Sequence, residues 1–228
     1  MTHDHDHDGD PQPFNPAGFL AERGIDPATL PAAGQPDPFD HAAWLTERAL
    51  AVFAAKVPPA FARARVDNPG VQEWVRRYLA DPATCPPLLL VGLTGRGKTH
   101  LLWGAVREIV TATARQGRPV DWRVVTHPDL NAQTRPSADQ QHHGALERYM
   151  RAGLLGLDDI GAGKASEWTE DVLFRLVDYR WSHGLPGIYS TNLIGEPLVK
   201  AVGDRVASRL VASHKVAVVG PDRRQVRP

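Results

Sequence analysis

The residues best suited to do chemistry lie in one run, Gly92-Leu93-Thr94-Gly95-Arg96-Gly97-Lys98-Thr99. Its glycines let the backbone turn sharply with N–H groups facing inward, a cradle for a polyphosphate. In such a loop Lys98 reaches the β- and γ-phosphates and Thr99 sets its hydroxyl on Mg²⁺. An apolar run, Leu88 to Val91, precedes the loop, and an amphipathic stretch beginning His100-Leu101-Leu102 follows it. Strand, loop and helix in that order argue against a glycine-rich turn of no chemical consequence. Residues Gly92 to Thr99, with His100, are the expected nucleotide-binding set, and ATP with Mg²⁺ the expected ligands.

A second constellation is Gly153-Leu154-Leu155-Gly156-Leu157-Asp158-Asp159. A short apolar run ending in two acids is how a buried parallel strand delivers carboxylates to the C-terminal edge of a sheet, where phosphate loops also lie. Asp158 would hold Mg²⁺ through water, and Asp159 would polarise the attacking water. The bland alternative is a buried strand whose acids mark a turn. A third run, Gly187-Ile188-Tyr189-Ser190-Thr191-Asn192, ends in an amide. Asn192 either holds the lytic water beside the γ-phosphate or caps the loop that follows.

The elements that must position these residues read as follows. Trp44, Leu45, Ala49, Val52 and Phe53 recur at helical spacing between Phe39 and Val57, with Asp40 as N-cap and Pro58-Pro59 as the stop. That helix either docks on a partner protein or packs back on the core. A second helix runs from about Val71 to Ala80 after the cap Asp67-Asn68-Pro69. The helix after the phosphate loop ends near Gln116-Gly117, and Val120 to Thr126 is a strand. Pro128 to His143 reads as a polar loop whose pair His142-His143 is solvated. Helices are expected at Ala145 to Arg151, Glu170 to His183, Glu196 to Val202 and Asp204 to Ser213, the last carrying Arg205 and Arg209 one turn apart. Lys215 to Val219 is the last strand. This alternation predicts a three-layer αβα domain around a parallel five-stranded sheet.

Of 228 residues, 26 are Lys or Arg and 26 are Asp or Glu, so the formal net charge is zero and any nucleic-acid contact needs a local basic patch. The single cysteine, Cys85, excludes a disulfide framework and a self-contained cysteine zinc site. No apolar run nears the ~20 residues of a membrane span, and no secretory leader is visible, so a soluble, cytoplasmic protein is expected. Residues 1–37 are rich in Asp, His, Pro and Gly and read as a mostly disordered arm. Within it, the His3 to Asp8 alternation is a polar leader or a weak metal binder, and Phe19-Leu20 with Ile25 is a possible docking segment. The expected organisation is this arm, a helix and linker over 38–62, and a nucleotide-binding domain over 63–228.

Together the motifs resemble the AAA+ ATPases, most closely the DnaC/DnaI-like helicase loaders and the related IstB-like transposition helpers. Gly92 to Thr99 is similar to Walker A and Leu154 to Gly161 to Walker B. Ser190-Thr191-Asn192 resembles the sensor 1 strand, and Asp204 to Leu210 the box VII segment. Val57-Pro58-Pro59 and Asp67-Asn68-Pro69 resemble the beginning of these domains. The resemblance covers residues 57 to 225. It implies that Arg209 is an arginine finger completing the neighbouring subunit's site, against the alternative that Arg205 and Arg209 pair with acids on their own surface. It also implies self-association.

Several residues depart from the pattern. Asp159 stands where many AAA+ proteins carry Glu, which implies slow, switch-like hydrolysis. Arg96 is unusual inside the loop. No C-terminal lid domain with a sensor 2 arginine is expected after the last strand, and Arg223 or Arg224 would substitute only in part. The cysteine zinc site of some loaders cannot form.

The resemblance implies an ATPase that loads a replicative DNA helicase and holds single-stranded DNA, with Arg135, Arg148 and Arg151 as basic candidates for the backbone contact. The alternatives are an IstB-like helper acting on duplex DNA, a P-loop small-molecule kinase, and a nucleotide-gated adaptor in which turnover is immaterial.

Overall fold

The computed structural model describes residues 16–24, 26, 40–135, 144–163 and 165–223. The expectations for the His/Asp alternation, Ile25, the pair His142-His143 and Arg224 lie outside them. The chain divides into two compact units, Met1–Asp40 and His41–Pro228. In the first, a short helix α1 spans Pro16–Ala21.

The second unit holds one parallel sheet of β1 (Leu88–Val91), β2 (Trp122–Thr126), β3 (Leu154–Ile160), β4 (Gly187–Thr191) and β5 (His214–Ala217), in the order β2-β3-β4-β1-β5. Its inner strands β1, β3 and β4 are buried on both sides because helices cover both faces, whereas the edge strand β5 is largely exposed. On one face, Leu88, Leu90, Leu154 and Ile188 pack with α2 (His41–Lys56), α3 (Pro69–Ala80) and α4 (Lys98–Arg115). On the other, Leu89, Leu155, Leu157 and Tyr189 pack with α5 (His127–Thr134), α7 (Glu167–Ser182), α8 (Glu196–Val202) and α9 (Asp204–Val211), while α6 (Ala145–Arg151) adds Leu146, Tyr149 and Met150 at the margin. This is the expected three-layer α/β domain.

Helix α2 packs back on the core. Phe53, 3% exposed, meets the rings of Trp103 and Trp122 at centroid distances of 5.9 and 5.8 Å. Asn68 caps α3 by accepting from the N–H groups of Gly70 and Val71. The fully buried Trp74 of that helix donates its indole N–H to the carbonyl of Pro86 at 2.6 Å, so no donor is stranded.

One expectation fails. The stretch beginning at Pro128, read as a polar loop, starts as helix α5. Thr126 caps it by accepting from the Asp129 N–H at 3.1 Å, Pro128 occupies its first turn, and only His127 and Leu130 are buried. So polar a helix has no apolar stripe to betray it, and its cap and its packing beside β3 hold it instead.

Candidate active site

The glycine-rich loop Gly92 to Thr99 follows β1, an inner strand of the sheet that is flanked by β4 and β5. Val91 lies opposite Thr191 of β4 and opposite Ala217 of β5, so the loop leaves the sheet between the ends of its neighbours. Gly95 and Gly97 have φ of +81° and +98°, conformations that a side chain would strain. Gly97 begins α4 with no side-chain cap, so the first N–H groups of an 18-residue helix are left for an anion. Lys98 is 6% exposed and folds back on the loop, donating to the carbonyls of Gly92 at 2.7 Å and Leu93 at 3.2 Å.

At the end of β3 the chain makes a bulge. Leu157 pairs with Tyr189 and Ile160 with Thr191, so β3 carries one residue more than β4 over this interval. Asp159 is the extra residue and has φ +54°. The bulge replaces the regular pleat at Asp159 with a left-handed backbone conformation. Asp158 points inward at 4% exposure, whereas Asp159 is exposed on the wall of the cavity.

Asp158 accepts a side-chain hydrogen bond from Ser190 of β4, and the hydroxyl of Thr99 on α4 also favours its charged form. Burial raises its carboxyl above the usual carboxylate range and the charge of Asp159 adds to this, while both hydroxyls act in the opposite direction. Ser190 also accepts from the Asp159 N–H at 3.0 Å. Thr191 donates to the Ile160 carbonyl at 2.8 Å, and Gly161 donates to His127 Nδ1 at 3.3 Å. Three side chains thus hold the bulged turn that aims Asp159.

These groups face a cavity of about 640 Å³. Thr94, Gly95, Gly97, Lys98, Thr99 and His100 line it from the loop, and Asp159 and Asn192 from the sheet edge. Asp158 is not in the lining and lies behind it, buried beside Asp159. Of the expected set, Gly92, Leu93 and Arg96 are not in the lining; Gly92 serves through its carbonyl, and Leu93 is 66% exposed. Arg209 lies elsewhere, on α9, paired with Asp178 of α7 and stacked over Phe174 at 5.5 Å.

The sequence reading gave no role to Ser190, His127, Phe61 or Ala60, and for Arg223 it offered only a partial substitute. The polar pair Ser190-Thr191 at the end of a buried strand is the available signal for the first. Phe61 and Ala60 come from a turn of 3₁₀ helix, Pro59–Phe61, and reach the cavity only through the fold. His100 Nε2 accepts the Arg65 N–H at 3.2 Å; burial lowers its pKa, the Arg223 charge lowers it further, and Asp67 opposes both. Burial alone lowers that of His127, whose Nε2 is enclosed with no hydrogen-bond partner.

No protein-family model matches the chain. The phage-like element PBSX protein XkdC of Bacillus subtilis (strain 168) is 28% identical over 128 residues, 52% of this chain and 46% of that protein. The chain therefore spans about half the length of that curated relative. Among solved structures, DnaI aligns with a TM-score of 0.56 at 24% identity, over 74% of this chain and 94% of that one. The DnaC helicase loader aligns at 0.56 and 20% identity over 71% and 99% of the two chains, and AMPPCP-bound DnaA from Aquifex aeolicus at 0.59 and 21% over 74% and 53%. The fold is that of the AAA+ ATPases. The likeness is one of fold, and it supports the resemblance to the DnaC-like group that the motifs carry. Within the AAA+ sheet, β1 bears the phosphate loop, β3 the acids and β4 the amide, as the sequence order predicts. No helix among the described residues is long and apolar enough to cross a membrane.

Proposed function

We propose that this chain is an ATP-binding and hydrolysing replication protein that loads a replicative DNA helicase. One observation carries the nucleotide part: a single cavity is lined by Lys98, Thr99, Asp159 and Asn192, with the buried Asp158 behind it bonded to Ser190. Hydroxyl and carboxylate oxygens in contact are a donor set that suits a hard cation, and a carboxylate whose charge is penalised by burial gains from one. Thr99 and Asp158 would hold Mg²⁺, which neutralises phosphate charge when bound.

The chain's own groups do the rest. Lys98 exchanges two loop carbonyls for phosphate oxygens, and the open N–H groups of α4 receive the β-phosphate. Asp159, at the cavity wall, accepts a hydrogen bond from the attacking water, and Asn192 orients that water. The carboxylate of Asp159 is one methylene shorter than glutamate, which supports slow, switch-like turnover. Arg209 acts on the neighbouring subunit's nucleotide within an ATP-controlled oligomer.

The loader role rests on the group resemblance. DnaC is described as a helicase loader, and a DnaA that aligns over 73% of this chain is described as a replication initiator bound to AMPPCP and single-stranded DNA. Arg148 and Arg151, exposed on α6, and Arg135, at the end of α5, offer the positive charge that a nucleic-acid backbone requires. ATPase assays with and without single-stranded DNA, together with capture of the replicative helicase by the full chain, test the proposal. Stimulation and ATP-dependent capture are expected. Turnover indifferent to single-stranded DNA together with no captured helicase would overturn the loader role, and filaments on duplex DNA would favour the transposition helper.

A further inference from the structure

The segment that follows β5 runs along the outside of the phosphate loop. Val218 donates its N–H to the Val91 carbonyl at 2.7 Å, and Arg223 donates to the Gly95 carbonyl at 2.9 Å. Between these bonds the segment fills the space that side chains would need on the loop glycines. A Cβ on Gly92 would lie 2.3 Å from the Val218 carbonyl oxygen, on Gly95 2.2 Å from the Asp222 carboxylate, and on Gly97 2.9 Å from Arg223 Nε. Loop and segment form one packed unit. Gly92 is thus required by the backbone packed outside it, and Gly95 and Gly97 by their positive φ.

Arg223 is the member of this segment that enters the cavity lining. Its guanidinium reaches across to Asp67 at 3.0 Å, and both side chains are about half exposed, at 44% and 54%. The cavity has two differently equipped ends. Thr99 turns toward Asp158 and the acids, whereas His100, the next residue round the helix, turns toward the Arg65 N–H and the 3₁₀ turn. Arg223 lies on the His100 side, next to Gly97, and its charge is felt by His100.

An exposed arginine–carboxylate pair is weak, because water screens it and two long side chains must be ordered. A guanidinium facing phosphate oxygens in a partly enclosed cleft makes shorter, charge-assisted, forked bonds. A nucleotide therefore wins the guanidinium from Asp67. Building on the nucleotide reading above, we propose that Arg223 binds the nucleotide of its own subunit at the α- and β-phosphates, away from the acids, and that Asp67 holds this arginine aside while the cavity is empty. Because Arg223 is tied by its backbone to Gly95, nucleotide occupancy is then communicated to the segment leaving β5.

The test is fluorescence anisotropy on the full chain with N-methylanthraniloyl ATP and ADP. Arg223→Ala weakens both ligands by about tenfold, and Arg223→Lys recovers only part of the loss. Asp67→Asn tightens both about two- to fivefold, since it releases the arginine. A purely structural role for the pair predicts the opposite for Asp67→Asn, because either substitution breaks it. Wild-type affinity in Arg223→Ala, a loss confined to ATP, or weaker binding in Asp67→Asn overturns the proposal. If Lys98→Ala loses binding while Arg223→Ala keeps it, the nucleotide reading stands and the arginine assignment falls. If the wild-type chain binds neither ligand, the nucleotide reading falls and takes the arginine assignment with it.

Discussion

Asp158 is a carboxylate enclosed between two hydroxyls, and burial makes its ionised form costly before any cation arrives. Its folded pKa is raised, so the native state holds the proton more tightly than the unfolded chain, and stability declines as pH rises from about 3.9 through the folded value. At neutral pH the charge is a standing cost. Asp158→Asn should therefore stabilise the nucleotide-free protein by about 1 kcal/mol, raising Tm by roughly 2–4 °C, while Mg²⁺-dependent ATP hydrolysis is lost. A lower Tm would mean that the Ser190 bond and the Thr99 hydroxyl outweigh burial. His127 runs the other way. Its folded pKa is lowered by burial, so its contribution is complete above about pH 6.5 and is lost as pH falls below that, by up to about 1.4 kcal/mol per pH unit. Protonation also takes the acceptor from the Gly161 N–H, and with it one of the bonds that hold the Asp159 turn. Thermal melts at pH 7.5 and 5.5 should show a smaller acid-side loss in His127→Asn than in wild type. His100, shifted in the same direction, accounts for part of what remains. Equal losses in the two proteins would remove His127 from this role.

At the scale of elements, α2 is anchored by one aromatic residue. Phe53 lies between Trp103 of α4 and Trp122 of β2, whereas Val52, its neighbour in sequence, is 38% exposed. Phe53→Ala should cost about 3–4 kcal/mol, and Val52→Ala under about 0.5 kcal/mol, in urea unfolding. Similar costs for the two would contradict the docking of this helix on the core. Both fates of α2 were open in the sequence, because Trp44 to Phe53 defines an apolar stripe without saying what it meets. The strands and their order of motifs were legible, since a run such as Leu154 to Asp159 carries its burial and its chemistry in the residue types themselves. The bulge was not legible. Alternation along a strand already sends Asp158 and Asp159 to opposite sides, but the irregular turn at Asp159 comes only from the pairing of β3 with β4. Helix α5 escaped because its signal was a Thr126 to Asp129 cap instead of a hydrophobic period. Arg223 and Phe61 reach the cavity from distant parts of the chain, a juxtaposition that no local spacing encodes.

At the scale of the whole molecule, the charges around the cavity are unevenly supplied. Among the described lining residues the cations are Lys98 and Arg223, with His100 held toward its neutral form, and the end formed by Asp159 and Asn192 has no arginine of its own. Hydrolysis builds charge on the γ-phosphate at that end. Arg209 is the proposed source, yet in a single chain it is tied to Asp178 and lies outside the cavity. A group that cannot serve its own site can serve the next one in a head-to-tail assembly, where one surface of each subunit meets a different surface of its neighbour. Transfer from Asp178 to a neighbour's phosphate exchanges a partly exposed pair for a charge-assisted contact, so assembly and nucleotide occupancy reinforce each other. Arg209→Ala should lower turnover by ~10³ with little effect on nucleotide affinity, while Lys98→Ala loses binding itself. Each variant alone is inactive for a different reason. Mixed in equal amounts they rebuild competent interfaces wherever an intact Lys98 faces an intact Arg209, about a quarter of the total for a head-to-tail contact, and activity should return to about that fraction of wild type. A mixture as inactive as its components would show that Arg209 does not act in trans and would leave its pair with Asp178 as a structural contact. Recovery that grows with protein concentration would tie turnover to assembly, the behaviour of an ATPase whose nucleotide controls who its neighbours are.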